Sequence, residues 1–311
     1  MTVLSIANQK GGVGKTTVAI NLGSALAELG KRILLVDLDP QGNATTSLGF
    51  NRREVFVSIY EVLIEGFGVR SAIFPTVQEN LYILPANENL PGAEIQLVER
   101  SGRALVLRRS LGEIRSRYDY ILIDCPPSLG ILTLNALAGS DGLLIPMQAE
   151  FLALEGLSQL MKTVALVRER LNPGLVMAGV VLTMYDSRTR LTREVEAEVR
   201  GFFEGTCRVF ETVIPRNVRL AEAPSHGLPI TRYARTSAGA EAFRSLAREV
   251  LDVTEARFGK GLESPDTAVA GGGARRFGTG DAGGGDEVGE GAEYIPDSPE
   301  SPPAPPGVSG G

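Results

Sequence analysis

Residues 3–17 read VLSIANQKGGVGKTT, a short apolar run followed by a loop rich in glycine and lysine. This order is typical of a phosphate-binding loop, because glycines let backbone N–H groups approach phosphate oxygens and a lysine supplies positive charge. The match is deviant, since Gln9 stands where the pattern has its first glycine and a second lysine, Lys10, precedes the loop. The segment therefore predicts nucleotide binding, with one lysine that the pattern does not require.

The residues on both sides of the loop agree with this interpretation. VLSIAN, residues 3–8, is β-prone, and TTVAINLGSALAELG, residues 16–30, has apolar residues at helical spacing with Gly30 as its C-terminal stop. A glycine-rich turn that only joins a strand to a helix is the alternative, and a lysine and a threonine at the helix start disfavour it. The predicted nucleotide-binding residues in this segment are Gly11, Gly12, Val13, Gly14, Lys15, Thr16 and Thr17.

Short continuous apolar runs recur along the chain, separated by stretches with helical periodicity. Strands that lack alternation and are spaced by helices indicate a parallel sheet covered on both faces. We therefore predict a doubly wound α/β fold of the P-loop NTPase type, with a mostly parallel sheet. The predicted strands after the first are residues 32–37, 81–86, 118–124, 142–147, 175–184 and 208–214.

The composition divides the 311 residues into a domain and a tail. From Gly261 onward glycine, proline and acidic residues dominate, and such a segment has too few apolar groups to offset its ordering entropy. We predict a nucleotide-binding domain over residues 1–258 and a disordered tail over residues 259–311. Because the tail is acidic, it accounts for the net charge of −6, and any nucleic-acid contact of the near-neutral domain depends on local basic patches.

The usage of cysteine, histidine and apolar segments points to the cytoplasm. The chain has two cysteines, Cys125 and Cys207, so a disulfide framework is not expected. No apolar run approaches the length of a membrane span, and the N-terminus lacks the charged start of a signal peptide. The single histidine, His226, is expected on a surface or in a loop, because no cluster of cysteines accompanies it to form a zinc site.

Acidic residues follow two of the predicted strands. Asp37 and Asp39 end RILLVDLD, and Asp124 ends YILID. In doubly wound sheets ligands bind at the carboxyl ends of the strands, where the phosphate loop also lies. A carboxylate there holds Mg²⁺ directly or through water, or orients an attacking water molecule. An acid at a strand end is common by itself, and the neighbouring phosphate loop favours the functional interpretation.

Five segments in order resemble the ParA/MinD family of deviant Walker ATPases, in particular its short chromosomal ParA (Soj) type. They are NQKGGVGKTT, LLVDLDPQGNAT, ILIDCPPSLG, TMYDSRT and VIPRNVRLAEAPSHG, and the similarity spans residues 1–255. The resemblance implies ATP and Mg²⁺ as cofactors, weak ATP hydrolysis, an ATP-dependent homodimer and nonspecific binding of double-stranded DNA. It also implies a ParB-type centromere-binding partner, a role in chromosome or plasmid partitioning, and a cytoplasmic, nucleoid-associated location without membrane binding.

The resemblance accounts for the additional lysine. In members of the family, the lysine that matches Lys10 reaches across a face-to-face dimer to the phosphates of the partner's ATP. A lysine from each side shares negative charge that would otherwise repel the two loops. Lys10 is therefore predicted to be catalytic, and the alternative is an ordinary solvated lysine beside a loop.

The remaining site residues are assigned by their positions in the matching segments. The resemblance implies that Thr16 holds Mg²⁺ and that Asp124 contacts the ion through water. It gives Asp39 a catalytic role in orienting the hydrolytic water, also close to Mg²⁺. Pro215 and Asn217 match the family's loop on the adenine side of the nucleotide.

Arginines are frequent in the C-terminal part of the predicted domain, where relatives contact DNA. Arginine suits phosphate contacts, and each one engaged adds salt-sensitive, sequence-independent affinity. The predicted DNA-binding residues are Arg188, Arg216 and Arg219. The last two are favoured because few acids accompany them in their loop, whereas residues 192–200, TREVEAEVR, are equally well a solvated helix face.

Three alternatives stay open. A MinD-like positioning ATPase that binds membranes predicts a basic amphipathic helix at the chain end, where this sequence is acidic and rich in glycine and proline. A ParA-like protein that positions another large cargo shares the same motifs. A nitrogenase-like iron protein requires two cysteine ligands per subunit, and Cys125, within the nucleotide motif, is a poor position for one.

Overall fold

The computed structural model describes residues 1–150 and 157–258. The strands of this part are β1 Thr2–Ile6, β2 Ile33–Asp37, β3 Phe74–Pro75, β4 Leu81–Leu84, β5 Tyr120–Asp124, β6 Gly142–Gln148 and β7 Val176–Thr183. They form one sheet in the order β3-β4-β2-β5-β1-β6-β7, and every neighbouring pair is parallel except β3 with β4 at one edge. This arrangement confirms the predicted doubly wound α/β fold.

Helices cover both faces of the sheet. The α-helices of the described residues are α1 Lys15–Glu28, α2 Asn43–Ser47, α3 Leu90–Val98, α4 Val106–Gly112, α5 Ile131–Gly139, α6 Leu157–Arg170, α7 Arg190–Phe203, α8 Val218–Glu222, α9 Ile230–Tyr233 and α10 Ala238–Phe258. The helices α1 and α10 pack on one face, and α3 to α7 pack on the other.

The strand residues alternate between two apolar cores. Successive side chains of a strand point to opposite faces, so a strand buried on both faces needs apolar residues at nearly every position. In β5, Ile121 and Ile123 join the core under α3 to α7, whereas Leu122 joins the core under α1 and α10. This two-sided burial explains why the strands appear in the sequence as continuous apolar runs.

Helix α1 follows the prediction closely. It begins at Lys15, directly after the glycine loop, and ends at Glu28. Gly30 has a φ of 79°, in the left-handed region that glycine adopts without strain, and its N–H donates to the Ala27 carbonyl at 3.0 Å. Gly30 therefore ends the helix as the sequence indicates.

The strand predicted over residues 208–214 is wrong. This segment runs beside β7 but forms only isolated bridges, at Val209 and Pro215. Between these bridges the backbone N–H groups of Glu211 and Thr212 donate to the Glu249 carboxylate of α10, at 2.9 and 2.7 Å. A side chain far along the chain thus holds this segment to α10, which the local apolar pattern does not reveal.

The register of the sheet brings two acids together. Asp37 of β2 pairs in register with Asp124 of β5, and Ile6 of β1 pairs with the same Asp124. The carboxyl ends of these strands therefore form one edge, from which the glycine loop leaves β1. The predicted tail, residues 259–311, lies outside the described residues.

Candidate functional site

The glycine loop has a backbone shape that admits an anion. Gly12 and Gly14 have φ values of 75° and 85°, and a Cβ added at Gly11 or Gly12 would meet nothing within 4 Å. The loop is anchored from below, because the Thr183 hydroxyl at the end of β7 donates to the Val13 carbonyl at 2.8 Å. Open space above these glycines leaves the backbone N–H groups approachable by phosphate oxygens.

Lys15 is buried at the base of the loop. Its Nζ donates to the Lys10 carbonyl at 3.2 Å, and its side chain lies within the electrostatic influence of Asp124 and Asp39. Burial lowers the pKa of Lys15, and the two carboxylates oppose this effect. The ammonium group is thus held between the loop and the acidic edge of the sheet, where a bound phosphate would meet it.

Asp124 is fully buried, and in the described part of the chain neither of its carboxylate oxygens has a hydrogen-bond partner. Burial, followed by the charge of Asp37, raises its pKa well above the usual range. The Thr16 hydroxyl, which approaches the carboxylate without the geometry of a hydrogen bond, and the charge of Lys15 act in the opposite direction. An unpartnered buried carboxylate is unfavourable unless a cation or a donor reaches it. Oxygen ligands are those that Mg²⁺ prefers, so Asp124 and Thr16 fit this ion.

Asp37 has a structural role instead of a free carboxylate. Its Oδ2 accepts hydrogen bonds from the Thr45 N–H at 2.7 Å and the Thr45 hydroxyl at 2.6 Å. Burial raises the pKa of Asp37 to about 6, although both bonds from Thr45 lower it. These bonds attach helix α2 to the end of β2, and the loop between the two elements carries Asp39.

The loop that carries Asp39 is held by an arginine. Asp39 is buried, and its Oδ1 accepts the Gln41 N–H at 2.9 Å. The guanidinium of Arg52 donates to the carbonyls of Pro40 and Gln41, both at 2.7 Å. Its packing requires a glycine at position 42, because a Cβ on Gly42 would lie 2.3 Å from the Arg52 Nε.

Lys10, the lysine that the phosphate pattern does not require, lies on the surface. Its Nζ is 3.4 Å from the Glu150 Oε2, and its backbone N–H donates to the Asn8 Oδ1 at 3.0 Å. Both side chains of the pair are about half exposed, so the contact is a weak surface ion pair. Lys10 is therefore free to exchange Glu150 for a stronger anion.

A cavity of about 480 Å³ opens beside the loop. It is lined on one side by Gly14 and Thr17 and on the other by Met184, Pro215 and Asn217. Asn217 is held in place as the N-cap of α8, where its Oδ1 accepts the Arg219 N–H at 2.8 Å. The two predicted adenine-side residues thus line a cavity that adjoins the phosphate loop.

Comparisons with known proteins identify the family of the chain. A family model described as an AAA domain matches residues 1–177. The sporulation initiation inhibitor protein Soj of Bacillus subtilis (strain 168) is 53% identical over 248 residues, which cover 80% of this chain and 97% of that protein. The chain belongs to the ParA/MinD family of deviant Walker ATPases.

Further matches support membership of the ParA/MinD family. The chromosome partitioning protein ParA of Myxococcus xanthus (strain DK1622) is 50% identical over 249 residues, covering 80% of this chain and 87% of that protein. Among solved structures, cobyrinic acid a,c-diamide synthase from Mycobacterium smegmatis with bound ADP and magnesium has a TM-score of 0.72 and 39% identity, covering 84% of this chain and 97% of that one. In the described part of this ParA/MinD-family chain, no helix has the length and apolar character of a membrane span.

The three arginines predicted to contact DNA differ in their surroundings. Arg188 forms an ion pair with Asp186 at 2.7 Å. Arg219 forms one with Glu222, the single acid of the segment VIPRNVRLAEAPSHG, at 2.9 Å. Arg216 is exposed, and within residues 1–150 and 157–258 it has no ion pair.

Three residues of the site were not predicted, although two lie inside the quoted motifs. Thr45 ends LLVDLDPQGNAT, and its hydroxyl donates to Asp37, 8 positions earlier in the same motif. Thr183 begins TMYDSRT, and its hydroxyl donates to the Val13 carbonyl, 170 positions earlier in the chain. Arg52 lies outside the motifs, and nothing local indicates that its guanidinium returns to the carbonyls at positions 40 and 41. His226 is exposed, as predicted, and stacks on Tyr233 with ring centroids 4.7 Å apart.

Proposed function

We propose that this chain is an ATPase that forms an ATP-dependent homodimer, binds DNA nonspecifically and partitions chromosomes or plasmids with a ParB-type partner. The observation that carries the ATPase part is the buried Asp124 carboxylate, which lacks a hydrogen-bond partner in the described chain and lies close to Lys15. An open glycine loop beside a carboxylate that needs a cation suits a nucleotide with its Mg²⁺. The ADP and magnesium bound to the similar structure from Mycobacterium smegmatis support this proposal.

In the proposed reaction, each group of the site has a separate task. The backbone of the glycine loop and Lys15 bind the outer phosphates, and Thr16 and Asp124 hold Mg²⁺, the acid through water. When bound, Mg²⁺ neutralises charge that develops on the transferred phosphoryl group. Asp39 accepts a hydrogen bond from the attacking water and aligns it, and Lys10 contacts the phosphates bound by the partner subunit.

The adenine ring is assigned to the cavity between Gly14 and Asn217. Pro215 and Met184 offer apolar surface there, and the Asn217 side chain is fixed by its capping hydrogen bond. A pocket that combines apolar walls with a few fixed polar groups is typical of a small-molecule site. Mg²⁺ and adenine therefore lie at the two ends of one nucleotide position.

We expect Arg52→Ala to lower the rate of ATP hydrolysis by about tenfold while changing ATP affinity by less than about threefold. The reason is that the Arg52 guanidinium holds the loop that carries Asp39 and does not bind the phosphates. Arg52→Lys should recover little, since an ammonium group does not reproduce a planar fork that reaches several carbonyls. Arg53→Ala is the matched control, because Arg53 is exposed and pairs with Glu88 at 3.0 Å. Steady-state kinetics and nucleotide titration separate the two quantities, and equal losses of rate and affinity would contradict a positioning role.

The net charge of the domain favours DNA binding by a dimer over binding by a single subunit. The domain is near neutral, so one subunit engages few phosphates, and a dimer doubles the contacts within one binding event. The exposed Arg216 also lines the cavity assigned to adenine. A DNA phosphate bound by Arg216 would therefore lie close to the bound nucleotide. The relatives from Bacillus subtilis and Myxococcus xanthus, named as Soj and ParA, support the partitioning role.

The proposed function is tested by co-sedimentation of the full chain with duplex DNA of unrelated sequence, with ATP, ADP or no nucleotide. We expect the chain to bind DNA in the presence of ATP, and not in the presence of ADP or without nucleotide. A parallel arm uses vesicles of anionic lipid, and ATP-dependent binding to vesicles instead of DNA would favour a MinD-like role. An ATP-dependent dimer that binds neither would favour the positioning of another cargo.

Arg216→Ala should reduce the slope of log affinity against log salt concentration by about 1.8, because a dimer loses two contacts at roughly 0.9 per phosphate. Arg219→Ala should reduce the slope less, since Glu222 already neutralises that arginine. Arg170→Ala, at the end of α6, is the control for an exposed arginine elsewhere. Titrations at several salt concentrations with a nonhydrolysable ATP analogue measure the slope, and an unchanged slope in Arg216→Ala would remove this residue from the interface.

A further inference from the structure

A basic pocket lies at the end of the sheet opposite the nucleotide site. It has a volume of about 200 Å³, and its lining includes Arg32, Arg70 and Arg117 together with Tyr82 and Tyr118. Arg32 directly precedes β2 and Tyr118 lies two residues before β5, whereas Asp37 and Asp124 end the same two strands. The pocket is therefore separate from the site that binds nucleotide in the proposed function.

The aromatic rings fix the direction of one guanidinium. The Arg32 Cζ lies 5.1 Å from the centroid of the Tyr82 ring and 5.5 Å from that of Tyr118. The two rings pack edge to face, 5.7 Å apart, and Tyr118 is buried. Because a guanidinium stacked on aromatic rings keeps its N–H donors free at the edge, Arg32 is oriented for an anion before any ligand arrives.

The positive charge of the pocket is not neutralised by ion pairs. Within residues 1–150 and 157–258, none of Arg32, Arg70 and Arg117 has a carboxylate within salt-bridge distance. Arg70 donates to the Glu113 carbonyl at 3.2 Å, which fixes its position without removing its charge. The Asp119 carboxylate accepts the backbone N–H of Arg32 at 2.7 Å.

Tyr118 lies within the electrostatic influence of two of these charges. Burial raises the pKa of the Tyr118 hydroxyl, and the positive charges of Arg32 and Arg117 both lower it. The two guanidinium groups thus approach the same phenol from different segments of the chain. Like charges held around one small space repel each other, and an anion between them relieves that repulsion.

We propose that this pocket binds a phosphate group. Arginine forks match phosphate oxygens with paired, charge-assisted hydrogen bonds, and three guanidiniums without ion-pair partners supply more donors than one carboxylate can accept. The phosphate belongs either to a small phosphorylated compound or to the DNA backbone, and the chemistry of recognition is the same for both. The inference does not depend on the ATPase activity, because none of the pocket residues belongs to the nucleotide site.

Arginine modification by phenylglyoxal, mapped residue by residue by mass spectrometry of peptides, tests the pocket in the full chain. The glycine loop contains lysine but no arginine, so phosphate bound there does not register at the arginines of the pocket. The probe is pyrophosphate, added in the presence of saturating ADP and magnesium, with sodium chloride of equal ionic strength as the reference. A second arm uses a short duplex of unrelated sequence.

We expect pyrophosphate to protect Arg32, Arg70 and Arg117 with one common midpoint, whereas Arg248, exposed on α10, reacts equally with and without it. Protection by the duplex and not by pyrophosphate would assign the phosphate to a DNA backbone. Equal reactivity of the three arginines in every arm, or protection by sodium chloride alone, would overturn the proposal.

Substitutions give an independent measurement of the same site. Arg117→Ala should raise the midpoint of pyrophosphate protection at Arg32 by about tenfold or more, because it removes a charge-assisted contact. Arg117 is exposed and its side chain has no hydrogen bond or ion pair that the described structure records, so this variant keeps the fold. Arg248→Ala is the matched control, and an unchanged midpoint in Arg117→Ala would contradict a shared phosphate site.

Discussion

Asp39→Ala is expected to lower the rate of ATP hydrolysis by about 100-fold or more while leaving ATP affinity within about threefold of the original chain. Alignment of an attacking water acts on the transition state and contributes little to binding of the ground state. The ATP-bound dimer should therefore accumulate, because a dimer that requires ATP dissociates only when its ATP is hydrolysed. Single-turnover hydrolysis and light scattering measure the two effects.

Asp39→Asn distinguishes catalysis from support of the loop. The Asp39 Oδ1 accepts the Gln41 N–H at 2.9 Å, and the amide oxygen of asparagine preserves that hydrogen bond while the charge is lost. If the carboxylate acts on the water, Asn is as slow as Ala. If Asp39 serves only to shape the loop, Asn restores the rate, and this outcome would remove Asp39 from the chemistry.

Much of the nucleotide site could be predicted from the sequence because its determinants are local. A glycine loop, the strand before it and the helix after it lie within one short segment, and the backbone shape at Gly12 and Gly14 depends on residue type. The edge of the sheet could also be predicted, since parallel strands present their carboxyl ends together. The pairing of Asp37 with Asp124 follows from that topology.

The parts that could not be predicted depend on contacts between distant segments. Residues 208–214 have the composition of a strand, but Glu249 of α10 takes two of their donors. Arg219 has an acid three positions later, and only the helical geometry of α8 brings Glu222 to it. The pocket around Arg32 combines this residue with lining residues between 70 and 82 and between 114 and 118, so no pattern within a short window indicates it.

The same limit applies to the acids of the nucleotide site. Asp37, Asp39 and Asp124 look alike as acids that follow apolar runs, but the structure gives them different surroundings. The Thr45 hydroxyl donates a hydrogen bond to the Asp37 carboxylate, and Arg52 holds the loop that carries Asp39. Of the three acids, Asp124 alone has no hydrogen-bond partner in the described chain. Burial and hydrogen bonding, not position in a motif, decide which carboxylate is available to a cation.

Lys10→Ala is expected to abolish ATP-dependent dimerisation while changing the ATP affinity of one subunit by less than about threefold. Lys15→Ala should instead lower that affinity by about 100-fold, because Lys15 is buried at the loop and its contact with the phosphates is charge-assisted. The difference follows from position: the Lys10 Nζ lies beside Glu150 on the surface, whereas the Lys15 Nζ lies at the base of its own loop.

The test is sharpest in the Asp39→Ala background, where hydrolysis no longer removes the dimer. Lys10→Ala combined with Asp39→Ala should remain monomeric with ATP by light scattering, although each subunit still binds nucleotide. Glu150→Gln is the matched control, because it removes the surface partner of Lys10 but leaves the lysine available to a phosphate on the other subunit. Its ATP-dependent dimer should form at equal or lower protein concentration, since one competing charge is lost. A dimer of unchanged stability in the Lys10→Ala double variant would show that the lysine does not act across an interface.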